Sequence, residues 1–230
     1  MYPVIATAVA FISTAAFVLL FVKAGCLQKL LVKLGLRKQK VSMNWTAFSW
    51  ESCLRKMECK ADVVFLGDSL VRGGDFHEHF RNVKIVNLGN SGDTLSGMIS
   101  RISAVQALSP RKVFLMGGIN GLTDQNVACC LSSYEDLVLE LGKAIPSVHL
   151  YIHSVLPLSA EKNRKICKNA TIEAFNAGIH SIADRYGHTF IDLYPLYLRD
   201  GVLEPEKTVD GIHLKPEAYE AWYEAIHPYI

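Results

Sequence analysis

The chain predicts a doubly wound α/β sandwich with a parallel sheet, and three observations carry that prediction. Short runs rich in β-branched residues alternate with longer helical stretches. The runs are continuously apolar, as strands covered on both faces are. The segments immediately after them are rich in glycine and polar residues, and open α/β sheets bind ligands at the carboxyl ends of their strands.

The chain has 230 residues, half of them apolar and a fifth charged. That is the size of one domain with an appendage, and the composition excludes a disordered chain. The first element is the run from Pro3 to Val22, twenty residues without a charge. As a helix it would be about 30 Å long, the thickness of a hydrocarbon core. Residues 1–22 are therefore expected to form one uncleaved transmembrane helix. A cleaved signal wants a basic segment ahead of a shorter apolar run, and Met1-Tyr2 supplies none.

Residues 23–60 form a basic amphipathic linker and a transition. Lys23, Lys29, Lys33, Arg37, Lys38 and Lys40 are interleaved with leucines and face no acid before residue 41. Such a helix suits anionic headgroups. Cations after the span, with none before it, favour a cytoplasmic catalytic domain on a single-pass membrane protein. The rest of the chain has 18 basic and 22 acidic residues, which excludes nucleic acid as a partner on charge grounds. The six cysteines show no zinc-type spacing and are expected to be reduced, mostly buried thiols.

The domain proper is expected over 61–230. Its strands are expected at Ala61–Gly67, Val83–Gly89, Lys112–Gly118, Val148–Val155 and Thr189–Tyr194. Single helices are expected near Thr94–Leu108, Gln125–Ile145, Glu161–Tyr186 and Pro216–His227. The first three strands lead into Gly67-Asp68-Ser69-Leu70, Gly89-Asn90-Ser91-Gly92-Asp93-Thr94 and Gly118-Ile119-Asn120-Gly121. A loop after the fifth strand carries Asp210-Gly211-Ile212-His213-Leu214.

These residues suit one chemistry. A serine hydroxyl needs a base within hydrogen-bond reach to act as a nucleophile. His213 is the candidate base for Ser69, and Asp210, three residues earlier, can orient its ring. Acyl transfer also needs donors aimed at the developing oxyanion. Gly92 offers a backbone N–H from a glycine-rich loop, and Asn120 offers a side-chain amide. The lipase pattern GxSxG is absent around Ser69, which argues against an α/β-hydrolase fold.

The four ordered blocks, GDSL at Gly67–Leu70, NLGNSGDT at Asn87–Thr94, GIN at Gly118–Asn120 and DGIHL at Asp210–Leu214, resemble those of the GDSL/SGNH hydrolases. The resemblance runs from about Ala61 onward. It implies a flavodoxin-like three-layer α/β/α sandwich with a five-stranded parallel sheet. It also implies cleavage of acyl esters, of a lipid, a carbohydrate or another small molecule, through an acyl-enzyme on Ser69. It maps Asp210 and His213 to the rest of the triad, and the Ser69 N–H, Gly92 and Asn120 to the oxyanion hole. No cofactor and no metal are implied. Gly121 stands where the family usually has Asp, which points to a changed loop beside an intact site. A catalytically silent carbohydrate- or lipid-binding module on the same fold is the alternative. No motif speaks to oligomeric state.

Overall fold

The computed structural model describes residues 60–230. The expected span at 1–22 and the linker up to residue 59 lie outside the described residues. Among the described residues, no helix is long and apolar enough to cross a membrane.

Five parallel strands form the main sheet: β1 (Val63–Gly67), β2 (Ile85–Gly89), β3 (Lys112–Met116), β4 (His149–His153) and β5 (Thr189–Ile191). Their order is β2-β1-β3-β4-β5. The chain runs from β1 outward to β2 and then crosses back to β3. The β1/β3 boundary is thus the switch point, where such sheets open a crevice at the strand ends. Ser69 comes directly after β1.

Side chains of a strand alternate between faces, and here both faces are apolar. Val64 and Leu66 of β1, Val113 and Leu115 of β3, and Leu150 and Ile152 of β4 belong to one buried layer. That layer packs against α3 (Leu95–Ser100), α4 (Ile102–Leu108), α5 (Val127–Ala144) and α7 (Asn169–Arg185). Val63 and Phe65 of β1 and Phe114 and Met116 of β3 face the other way. They meet α1 (Ser69–Gly73), α2 (Phe76–His79) and α9 (Tyr219–Ile226). Parallel register places Phe65 beside Phe114 and Phe114 beside Tyr151. The three rings stack with centroids 4.8 and 4.7 Å apart, and Phe76 of α2 stacks on Phe65 at 3.8 Å.

Two expected helices are divided. The stretch Thr94–Leu108 breaks at Arg101, between α3 and α4. Glu161–Tyr186 divides into α6 (Ala160–Lys165) and α7. At the second break, the Asn169 side chain takes the Leu158 N–H at 2.9 Å and donates to the carbonyls of Leu158 and Gly201 at 3.0 and 2.9 Å. A short polar side chain that bonds nearby backbone competes with helix continuation. The segment after β5 holds α8 (Tyr194–Tyr197) and a two-residue antiparallel pair, β6 (Leu198–Arg199) with β7 (Val202–Leu203). Cys167 is a buried thiol, as expected, whereas Cys129 is disulfide-bonded, which corrects the expectation of a reduced thiol at that residue.

Candidate active site

Asp68 caps α1. Its Oδ1 accepts the Leu70 N–H at 3.0 Å. A serine at a helix start commonly serves as the cap itself. With Asp68 in that role, the Ser69 hydroxyl is free to bond elsewhere, and it meets His213 Nε2 at 2.8 Å. Asp68 is 1 % exposed, and its Oδ2 has no hydrogen-bond partner. Burial pushes its carboxyl up to about 6; the Leu70 N–H opposes this, the charge of Asp93 adds to it, and His213 opposes it.

His213 and Asp210 stand on a loop that bonds largely to itself. Asp210 Oδ1 accepts the N–H groups of Ile212 and His213 at 3.0 and 2.9 Å. Its Oδ2 lies 2.8 Å from His213 Nδ1. Thr208 Oγ1 donates to the His213 carbonyl at 2.7 Å and accepts the Gly211 N–H at 2.9 Å. Partial burial raises the Asp210 carboxyl, but the hydrogen bonds from the His213 backbone, the His213 ring and Ile212 outweigh it, and the group sits at about 2. Asp210 is therefore ionised at any working pH and holds a proton on Nδ1. That leaves Nε2 as an acceptor facing Ser69, the tautomer that a general base needs.

Asn90 to Asp93 form a turn after β2, closed by the Asp93 N–H to the Asn90 carbonyl at 3.1 Å. Gly92 has φ +72° there, a conformation that glycine adopts without steric cost. The Asn90 N–H bonds the Gly67 carbonyl at 3.0 Å, which ties this turn to the residue that ends β1. Asn120, in the loop after β3, donates from Nδ2 to the Asp93 carbonyl at 3.0 Å. The Gly121 carbonyl behind it accepts from Asn126 Nδ2 at 2.7 Å. The structure thus joins Ser69, His213 and Asp210 in one hydrogen-bonded chain and links the loops of Gly92 and Asn120 through Asp93.

Three residues beside the site escaped the sequence reading: Asp68, Asp93 and Arg101. The first two lie inside the blocks that point to the chemistry, and adjacency to Ser69 and Gly92 was a usable signal. Arg101 gave none, since it lies within a stretch that reads as one helix.

A model of the GDSL-like lipase/acylhydrolase family matches residues 65–221. Solved structures share the fold. A protein from Streptococcus pneumonia, provisionally assigned as a platelet activating factor, is 23 % identical with a TM-score of 0.70, and the match covers 89 % of this chain and 98 % of that one. A GDSL-like lipase from Bacteroides thetaiotaomicron is 26 % identical with a TM-score of 0.63, over 75 % of this chain and 88 % of that one. A catalytic mutant of Axe2, an acetylxylan esterase from Geobacillus stearothermophilus, is 17 % identical with a TM-score of 0.60, over 74 % and 94 % of the two chains. No curated protein matches the sequence.

Proposed function

The chain belongs to the GDSL-like lipase/acylhydrolase family and is a carboxylic ester hydrolase; on that premise we propose that it works through an acyl-enzyme on Ser69, with His213 as the base and Asp210 as its orienting partner. The observation that carries this reading is the continuous chain of two 2.8 Å contacts, from Ser69 Oγ to His213 Nε2 and from His213 Nδ1 to Asp210 Oδ2.

Ser69 Oγ attacks the ester carbonyl carbon while its proton passes to His213 Nε2. The ring becomes a cation held by the ionised Asp210. The carbonyl oxygen becomes an oxyanion, met by the Ser69 and Gly92 N–H groups and the Asn120 amide. His213 returns the proton to the leaving alcohol, and the acyl group stays on Ser69. A water molecule then gives a proton to His213 and attacks the acyl carbon; the bond to Ser69 Oγ breaks, His213 returns the proton to Oγ, and the acid is released.

The proposed substrate is an acyl ester of a lipid or a carbohydrate. A lipid substrate suits a protein anchored at a bilayer. A sugar ester suits the likeness to an acetylxylan esterase. The run at 1–22 is the proposed anchor. The cations at 23–40 favour a cytoplasmic catalytic domain, whereas a disulfide at Cys129 favours an oxidising compartment. Protease added to intact cells carrying a C-terminal tag decides the side: digestion places the domain outside, and protection until lysis places it inside.

The mechanism is tested with a fluorophosphonate probe and a ladder of p-nitrophenyl esters from acetyl to palmitoyl. The expected result is covalent labelling at Ser69 and hydrolysis of part of the ladder. Ser69→Ala should lose both, with turnover down by several orders of magnitude and the fold intact. Turnover at the wild-type rate by folded Ser69→Ala would overturn the assignment, and the length of acyl chain preferred gives the substrate class.

A further inference from the structure

The acyl-transfer steps leave a buried ion pair beside the site unused. Arg101 is 9 % exposed and Asp93 7 %. The guanidinium reaches Asp93 Oδ2 from Nε at 3.0 Å and from Nη2 at 2.5 Å. Nη1 donates to the Leu88 carbonyl at 2.8 Å, and Nη2 also lies 3.5 Å from the Gly67 carbonyl. Gly67 ends β1, and Leu88 is the next-to-last residue of β2. One side chain therefore spans the ends of the two strands whose adjoining loops carry Ser69 and Gly92.

Asp93 extends the link to the third loop. Its carbonyl accepts one proton of the Asn120 amide, which leaves the second amide proton for another acceptor. Its Oδ1 accepts the Thr94 N–H at 3.0 Å, and a Cβ at Gly97 would collide with that oxygen. The carboxylate is thus fixed by Arg101 on one side and by Thr94 and Gly97 on the other. Moving two charges out of water is costly, and an apolar pair of equal volume is often as stable. Stability is a weak reason for this arrangement, whereas geometry is a strong one. The planar fork of an arginine meets the carboxylate and two separate carbonyls from three nitrogens in fixed directions, which the single nitrogen of a lysine cannot do.

Building on the acyl-enzyme reading, we propose that Arg101 and Asp93 are positioning residues for the oxyanion site, holding the Gly92 N–H and the second Asn120 N–H where negative charge develops. Donors placed in advance are what such a site needs, and a misplacement of about 1 Å costs on the order of 100-fold in rate.

The test is a double-mutant cycle on the full-length enzyme with p-nitrophenyl acetate, using Arg101→Lys, Asn120→Ala and the combination. Arg101→Lys should lower kcat by roughly 30- to 300-fold with KM held within about twofold, since the oxyanion exists only in the transition state. The combined variant should fall short of the product of the two losses, because part of the Arg101→Lys loss runs through the Asn120 amide that Asn120→Ala removes. A merely structural arginine would lower the melting temperature and leave the losses multiplicative. A kcat for Arg101→Lys within about threefold of wild type, or a multiplicative cycle, would overturn the proposal. Should Arg101→Lys not fold, Asp93→Asn keeps the side-chain shape and both backbone bonds, and the same pattern is expected of it. Fluorophosphonate labelling separates the two layers of argument. A wild-type enzyme unlabelled at Ser69 overturns the acyl-enzyme reading and this proposal with it, and a labelled enzyme with a multiplicative cycle overturns this proposal alone.

Discussion

Asp68 and Ser69 sit at the end of a strand covered on both faces, whereas Asp210 and His213 stand with side chains 47 % and 42 % exposed on a loop that bonds mainly to itself. The half around Ser69 is held from afar. Asn90 reaches the Gly67 carbonyl, Asn120 reaches the Asp93 carbonyl, and Arg101 spans the ends of β1 and β2. The half around His213 is held from within, by the carboxylate of Asp210 and the hydroxyl of Thr208. Burial makes position and ionisation in the first half a property of the whole sheet. In the second, a handful of local bonds suffices.

The sharpest way to break this comparison is Asp210→Asn. The amide oxygen can still accept the N–H groups of Ile212 and His213, so the loop should keep its shape. The ring, however, loses the anion that fixes its tautomer, and kcat should fall by roughly 1,000- to 10,000-fold. Differential scanning calorimetry should find a melting temperature within a few degrees of wild type; a collapse of the fold would show that the loop does not stand on its own.

Asn120→Ala comes next. Steady-state kinetics should give a kcat lower by roughly 100- to 1000-fold with KM nearly unchanged. A raised KM with kcat preserved would mean that the amide binds ground-state substrate.

A smaller effect separates the two halves by pH. The Asp68 carboxyl titrates near 6 in the fold, against an ordinary 3.8. Between those values the folded chain keeps a proton that the unfolded chain has lost. Stability therefore declines as pH rises through this window, by an amount approaching roughly 3 kcal/mol. Asp68→Asn lacks this dependence. Its melting temperature should equal that of wild type near pH 4 and exceed it at pH 7, and parallel curves across that range would show that burial imposes no such cost. Asp210, lowered from 3.8 to about 2, acts in the opposite sense and only below pH 4, where its contribution to stability is lost as pH falls.

The smallest effect is that of Thr208→Val, which removes two hydrogen bonds from the exposed loop. About 1 kcal/mol is at stake. Melting should drop by about 2–4 °C and kcat by a few-fold. A loss as large as that of Asn120→Ala would place this threonine among the groups that touch the reaction.

The same contrast explains how much was legible in the sequence. Asp210 and His213 are three residues apart, and their partnership is a local fact that spacing reveals. The central strands β1 and β3 were the most legible because both of their faces are buried, so each reads as a nearly unbroken apolar run. Helix ends were less so. The break at Arg101 arises from bonds to Asp93, Leu88 and Gly67, and the break before α7 arises from bonds to Leu158 and Gly201. Of those partners Gly67 and Gly201 lie 34 and 32 residues away, outside any window of neighbouring residues. The capping role of Asp68 was hidden for a different reason: adjacent Asp and Ser can each cap a helix, and only the fold shows which one does.

Ser69 and His213 are 144 residues apart in the chain. Ribosomes add about 5–20 residues per second, so a growing polypeptide carries Ser69 for roughly seven to thirty seconds before His213 has been made. Throughout that interval the serine is an ordinary alcohol. On the proposed mechanism the enzyme is silent while it is being synthesised, and a reactive serine exists only once the segment around His213 has docked at the end of β1.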